Sequence, residues 1–198
     1  PITLHHVLQG SANIHEAVYT HESGAKIIPG SLSMKNIDKC NLEDLQHHLP
    51  RLKSDLVILD GAPGLDREAK ASIKLSDEVL VVTTPELPSV AQSLKTIRVA
   101  KDFDKIVTGA VLTRAGHDLD LKIKNIQTIL EQPIISVIPE DPYIKKALVK
   151  REPVSYVYPK APSSRAYHTL ALYLTGHETS RGNPTKFARF MNWSFGKP

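Results

Sequence analysis

From Val57 to Thr96 the chain reads VILDGAPGLDREAKASIKLSDEVLVVTTPELPSVAQSLKT. An apolar run, Asp55–Asp60 (DLVILD), ends on an acidic residue followed by Gly61, Ala62, Pro63 and Gly64. Arg67–Leu75 then repeats apolar residues at helical spacing, and Glu78–Thr83 (EVLVVT) is a second continuous apolar run. Runs apolar on both sides suit parallel strands covered on two faces, and a helix-length connection between two of them is a βαβ unit.

The rhythm continues outward. Lys105–Thr113 and Pro133–Ile138 read as two further strands, with Ser89–Asp102 and Leu119–Glu131 as the helices before each. Upstream, Thr3–Leu8 and Ile14–Val18 read as short helices, Ala25–Pro29 as a strand, and Asn41–Leu49 as a helix that Asn41 caps. Downstream, Tyr143–Lys150 and Ser163–Leu174 read as the last packed helices. The expected fold is α/β, a doubly wound, mostly parallel sheet over residues 1–176, followed by a linker and amphipathic tail over 177–198.

Composition narrows the class. With 198 residues, 41% hydrophobic and 23% charged, the chain is long enough to bury a core. Cys40 is the single cysteine, so no intrachain disulfide forms, and a reducing, cytoplasmic setting fits. No apolar run approaches the ~20 residues of a membrane span. The net charge of +4 concentrates in the tail, where Arg181, Lys186, Arg189 and Lys197 face Glu178 alone, so no specific nucleic-acid binding is expected. The pairs His5–His6 and His47–His48 point about 100° apart on a helix and read as solvated surface.

An aspartate at the C-terminal end of a strand, followed by a glycine turn, lies where open α/β sheets bind ligands. It has the form of a Walker B strand and switch II loop. The residues from Val57 to Thr96, with the TPE-x-x-S turn after the second strand, resemble the MinD branch of the MinD/ParA family of P-loop ATPases, particularly its archaeal MinD-like members. VIPEDPYIKKALVKREPV (Val137–Val154) is similar to the family's late IPED loop and following helix, and TLHHVLQG and AKIIPGSLS are looser matches near the start.

The resemblance implies an ATP hydrolase that cycles between cytoplasm and the inner face of the cell membrane, positioning division (septum site determination) or other polar machinery. Its cofactors would be ATP and Mg²⁺. Asp60 would hold Mg²⁺ through water, Gly64, with Pro63 in the same loop, would sense the γ-phosphate, and Thr113, Arg114, Pro139, Glu140 and Asp141 would border the base. The implied partners are a second copy in an ATP-dependent homodimer, a membrane surface, and a protein activator or cargo.

Two departures stand beside it. No G-x-x-x-x-G-K-[ST] occurs in the chain. The family pattern therefore implies that the P-loop precedes Pro1 and that this is the C-terminal portion of an ATPase. Thr113 stands where the family carries Asn, and a hydroxyl lacks an amide's paired donor and acceptor. The alternative is a non-catalytic interaction module that has lost nucleotide binding.

The tail has its own pattern. Asn183–Pro184 suits a helix start, and Phe187, Phe190, Met191 and Phe195 fall on one face. With Trp193, these residues are expected to insert into lipid, weakly for one copy and usefully for two.

Overall fold

Residues 1–30, 40–117 and 120–176 are described by the computed structural model, and they divide into two units, Pro1–Asp77 and Glu78–Pro198. The expected tail helix and its lipid-facing residues Phe187, Phe190, Met191, Trp193 and Phe195 lie outside the described residues.

In the first unit, Thr3 starts α1 (Leu4–Leu8) in a capping box with His6, their Oγ1 and Nδ1 atoms 2.9 Å apart. Asn13 starts a 3₁₀ turn, Ile14–Ala17, by accepting the His15 N–H, while Glu16 accepts the Asn13 N–H. Tyr19–Thr20 (β1) and Lys26–Ile27 (β2) pair antiparallel, a shorter ladder than the strand expected at Ala25–Pro29. Val7, Ile14, Ala17 and Leu45 form this unit's core, with Leu59 and Leu75 packed against it.

The helix expected at Asn41–Leu49 is a 3₁₀ helix, Leu42–His47, followed by a second at Leu49–Arg51. Asn41 caps it as expected, accepting the Glu43 N–H at 3.3 Å. Pro50 lacks the N–H that would continue an α-helical ladder. Asp66 caps α2 (Arg67–Leu75) through the Ala69 N–H at 2.9 Å.

The strand expected at Asp55–Asp60 is not observed, since this segment joins no sheet among the described residues. Leu56, Val57 and Ile58 are exposed, Ile58 by 76%, and Leu59 is the residue of the run that packs on the core. An apolar run becomes a strand only by pairing, and local composition cannot substitute for a neighbouring ladder.

The second unit follows the expected βαβ rhythm. Glu78–Thr83 (β3), Ile106–Ala115 (β4) and Ile134–Pro139 (β5) form a parallel sheet in the order β3-β4-β5, joined by α3 (Leu87–Asp102) and α4 (Ile123–Leu130). Helix α3 packs on β3 and β4, and α4 packs against α3. Val90, Ile97, Leu112, Ile126, Leu130 and Ile138 are the large buried side chains of this unit. Helix α4 starts at Ile123 rather than Leu119, and the Leu121 N–H beyond its start donates to the Pro85 carbonyl.

After β5 come α5 (Pro142–Lys150), a one-turn α6 (Val154–Val157) that the sequence did not suggest, and α7 (Pro162–Leu174), which packs on β5. No helix among the described residues is long and apolar enough to cross a membrane.

Helix α4 ends on Glu131 in the left-handed conformation, φ +52°. A side chain there costs roughly 1–2 kcal/mol, partly offset by the extra freedom glycine loses on folding. Glu131→Gly is expected to raise stability by about 0.5–1 kcal/mol, read as a higher urea midpoint.

Candidate functional site

Asp60, Pro63 and Gly64 lie in the first unit, in the loop that leads into α2. The Asp60 carboxylate is exposed and makes no hydrogen bond or ion pair with another described residue. Gly61 is tightly seated, because an added Cβ would come within 3.3 Å of the Ser72 Oγ. Gly64 adopts φ +100°, a conformation natural to glycine, and the space around it is open. The loop therefore presents one free carboxylate and an accessible glycine backbone.

One free carboxylate is compatible with Mg²⁺, which keeps several waters and takes only one or two protein carboxylates. No His, Cys, Asp and Glu cluster able to hold a metal occurs among the described residues, so Asp60 is the donor this loop offers.

Thr113, Arg114, Pro139, Glu140 and Asp141 lie in the second unit, at the C-terminal ends of β4 and β5. That edge is where open α/β sheets bind ligands. The Glu140 N–H donates to the Ala115 carbonyl at 2.8 Å, and Arg114 Nε donates to Glu140 Oε2 at 3.2 Å. Arg114 sits at φ +54° and Gly116 at φ +123°, which turns the chain at the end of β4. The turn brings the Gly116 and His117 N–H groups onto the Asp120 carboxylate at 2.7 and 2.9 Å. Thr113 donates its hydroxyl to the Thr83 carbonyl at 3.3 Å, which fastens β4 to β3 and leaves the oxygen as an acceptor.

Asp141 is different in kind. Only 4% exposed, it accepts the Tyr143 N–H at 2.9 Å through Oδ1. Through Oδ2 it accepts the Ser163 N–H at 3.0 Å and the Ser163 hydroxyl at 2.7 Å. One carboxylate thus serves the first turns of both α5 and α7. Burial pushes its pKa up, but the hydrogen bonds from Ser163 and Tyr143 outweigh it and hold the carboxyl below its ordinary value. Asp141 therefore ties the starts of α5 and α7 together, directly after Pro139 and Glu140 in the chain.

The partner of Asp141 escaped the sequence reading, although a signal was present. Asp141–Pro142 is a cap and first-turn pair, and Pro162–Ser163 places a polar residue in the first turn of another helix. Two further contacts fasten the same edge: Thr84 donates to Ser89 at 2.8 Å, and Ser164 donates to the Tyr158 carbonyl at 2.7 Å. An open pocket of about 390 Å³ lies on α6 and α7, lined by Ser155, Pro159, Ser164, Arg165, His168 and Thr169. It contains none of the residues expected to bind a nucleotide.

The chain is 30% identical, over its full length, to an uncharacterized ATP-binding protein of Methanocaldococcus jannaschii, and spans 77% of that protein. Over 86% of its length it is 29% identical to the septum site-determining protein MinD of Buchnera aphidicola, spanning 69% of it. Among solved structures, the cell division ATPase MinD of Pyrococcus furiosus superposes with a TM-score of 0.82 at 28% identity, over 88% of this chain and 76% of that one. MinD of Pyrococcus horikoshii, solved with Mg-ADP, gives 0.82 at 27% identity over 92% of this chain and 75% of that one. No protein-family model matches the chain. The parallel sheet and its flanking helices accordingly have the doubly wound α/β fold of P-loop NTPases.

Proposed function

The chain belongs to the MinD/ParA family of P-loop ATPases, and on that premise we propose that it binds ATP with Mg²⁺ and hydrolyses it in a cycle of dimerisation and membrane attachment. Asp60 holds Mg²⁺ through water, and the loop backbone at Pro63 and Gly64 faces the γ-phosphate. The edge formed by Thr113, Arg114, Pro139 and Glu140 borders the base, with Asp141 as its anchor. Mg²⁺ neutralises charge on the phosphates; the chain's own part is to place a carboxylate and an open glycine beside them.

The observation that carries this reading is the Asp60 loop: a free carboxylate followed by a tightly seated glycine and then an open glycine at positive φ. In the proposed cycle, two nucleotide-bound copies bring two apolar, basic tails together. Paired tails bind anionic lipid far more tightly than one, and hydrolysis separates them. The septum site-determining and cell division relatives support the positioning role, and the ATP-binding relative supports the nucleotide.

The test is equilibrium binding of a fluorescent, slowly hydrolysed ATP analogue to the gene-encoded protein, with and without Mg²⁺. Asp60→Ala is expected to weaken Mg²⁺-dependent binding about tenfold, a loss of about 1.4 kcal/mol. Unchanged affinity removes the assignment of Asp60. No binding by a chain that circular dichroism shows to be folded sinks the ATPase reading. It favours the interaction module.

A further inference from the structure

Helix α5 buries Ala147 and turns an unusual set of residues outward. Leu148 is 69% exposed and Val149 86% exposed, between Lys145 and Lys146 on one side and Lys150 and Arg151 on the other, all four of them exposed. At about 100° per residue, the order around the helix is Leu148, Lys145, Val149, Lys146, Lys150, across roughly 200° of arc. Apolar and cationic side chains therefore alternate on a single surface. Single exposed aliphatics are ordinary; two adjacent ones set among four cations are not.

The cations are free to act outward. None of the four forms an ion pair among the described residues. Of the two acidic residues before the helix, Glu140 pairs with Arg114, and Asp141, at the N-cap, is buried and accepts its hydrogen bonds from Tyr143 and Ser163. The Lys146 ammonium lies 4.8 Å from the Tyr143 ring centroid and Lys150 Nζ 5.2 Å from that of Tyr158, and the two rings pack 4.9 Å apart. This aromatic pair holds two of the ammonium groups at the surface.

We propose that this face of α5 is a second membrane contact, which lies against an anionic bilayer and adds to the binding of the tail. The inference deepens the membrane part of the proposed cycle and rests on it. Charge complementarity selects the occupant: lysine heads reach anionic headgroups while their stems lie along the apolar surface, and Leu148 and Val149 enter the acyl boundary. A nucleic-acid backbone answers the lysines equally well but leaves both aliphatics in water, with no gain from their exposure. Alone, a nine-residue helix binds lipid weakly. Joined to the tail in one chain, it gains from the same raised local concentration that dimerisation supplies.

The experiment is co-sedimentation of the gene-encoded protein with phosphatidylcholine vesicles, with and without phosphatidylglycerol. A duplex DNA fragment serves as a parallel arm. The double variant Leu148→Ser, Val149→Ser is expected to bind anionic vesicles about tenfold more weakly. Lys145→Glu with Lys146→Glu is expected to lose at least as much, with an effect that fades as salt rises. Wild-type binding by the Leu148, Val149 variant, alongside loss in a Phe187→Ser, Phe190→Ser variant, overturns the α5 contact and leaves the tail reading standing. Absence of vesicle binding by the unaltered protein overturns both. DNA retention that depends on the lysines but not on Leu148 and Val149 reassigns the face to nucleic acid.

Discussion

Asp141→Ala is expected to lower the stability of the chain by about 4 kcal/mol, read from the urea midpoint followed by far-ultraviolet circular dichroism. The carboxylate is buried and accepts three hydrogen bonds, two of them from backbone donors in the first turns of α5 and α7. Removing it leaves the N–H groups of Tyr143 and Ser163 without their acceptor in a place water reaches poorly. Hydrogen bonds to a charged group are worth about 1.5–3 kcal/mol each, and losses within one cluster are not additive. Asp141→Asn keeps an acceptor for Tyr143 but presents one neutral group to Ser163, so about half that loss is expected. Ser163→Ala removes one hydroxyl donor and should cost about 1 kcal/mol. A loss under 1 kcal/mol for Asp141→Ala would mean that the two helix starts are satisfied without it.

The same contacts predict a pH dependence. Hydrogen bonds hold the folded-state pKa of Asp141 below its ordinary value. A depressed carboxyl contributes stability that is fully present above the unfolded pKa and is lost as pH falls through the folded one. The window therefore opens below about pH 4, where an unfolded aspartate begins to protonate. Between neutral pH and that point the contribution of Asp141 is flat. In stronger acid the unaltered chain should lose stability more steeply than Asp141→Asn, which has no proton to gain there. Parallel acid curves for the two would show that this carboxyl is not the group being titrated.

How far the sequence carried the fold depends on whether each signal was local. The β3–α3–β4–α4–β5 run was legible because each strand is a continuous apolar run and each helix repeats at three and four residues. Asn41 and Asp66 cap helices because a short polar side chain before a helical repeat satisfies free N–H groups within its own turn. Asp55–Asp60 failed for the opposite reason: pairing with another strand is not written in the run itself. The candidate site divides the same way. Arg114 and Glu140, far apart in sequence, were both read as site residues, but their ion pair follows from the parallel register of β4 and β5. Asp141 was legible as a polar residue at a strand end, whereas its bond to Ser163 depends on how α7 returns to β5.

That register supports the second large prediction. Gly109 sits in β4 at φ +147°, between irregularities on both of its edges. Toward β3 the pairing moves from Val79↔Val107 to Leu80↔Gly109, so Thr108 is the extra residue; toward β5 it moves from Ala110↔Ile134 to Val111↔Ser136, so Ile135 is extra. An alanine Cβ here would lie 2.8 Å from Ile135 Cγ2 and 2.9 Å from the Pro133 carbonyl oxygen. The side chain can yield only by disturbing its own packing, and the carbonyl is already held by the Ala110 N–H at 2.9 Å. Backbone strain of about 1–3 kcal/mol and overpacking of about 1–3 kcal/mol point to a loss of about 3 kcal/mol for Gly109→Ala. Adding Ile135→Ala removes one clash but not the carbonyl contact or the strain, so the double variant should recover less than half the loss, after allowance for the cost of Ile135→Ala alone. Full recovery would place the whole effect in the Ile135 contact; no loss at all in Gly109→Ala would mean that β4 runs without this bulge. Because the shifts set where β4 ends against β5, the surviving fold of Gly109→Ala should also bring Arg114 less closely onto Glu140. A nucleotide affinity reduced in step with stability would tie the bulge to the geometry of the proposed base site.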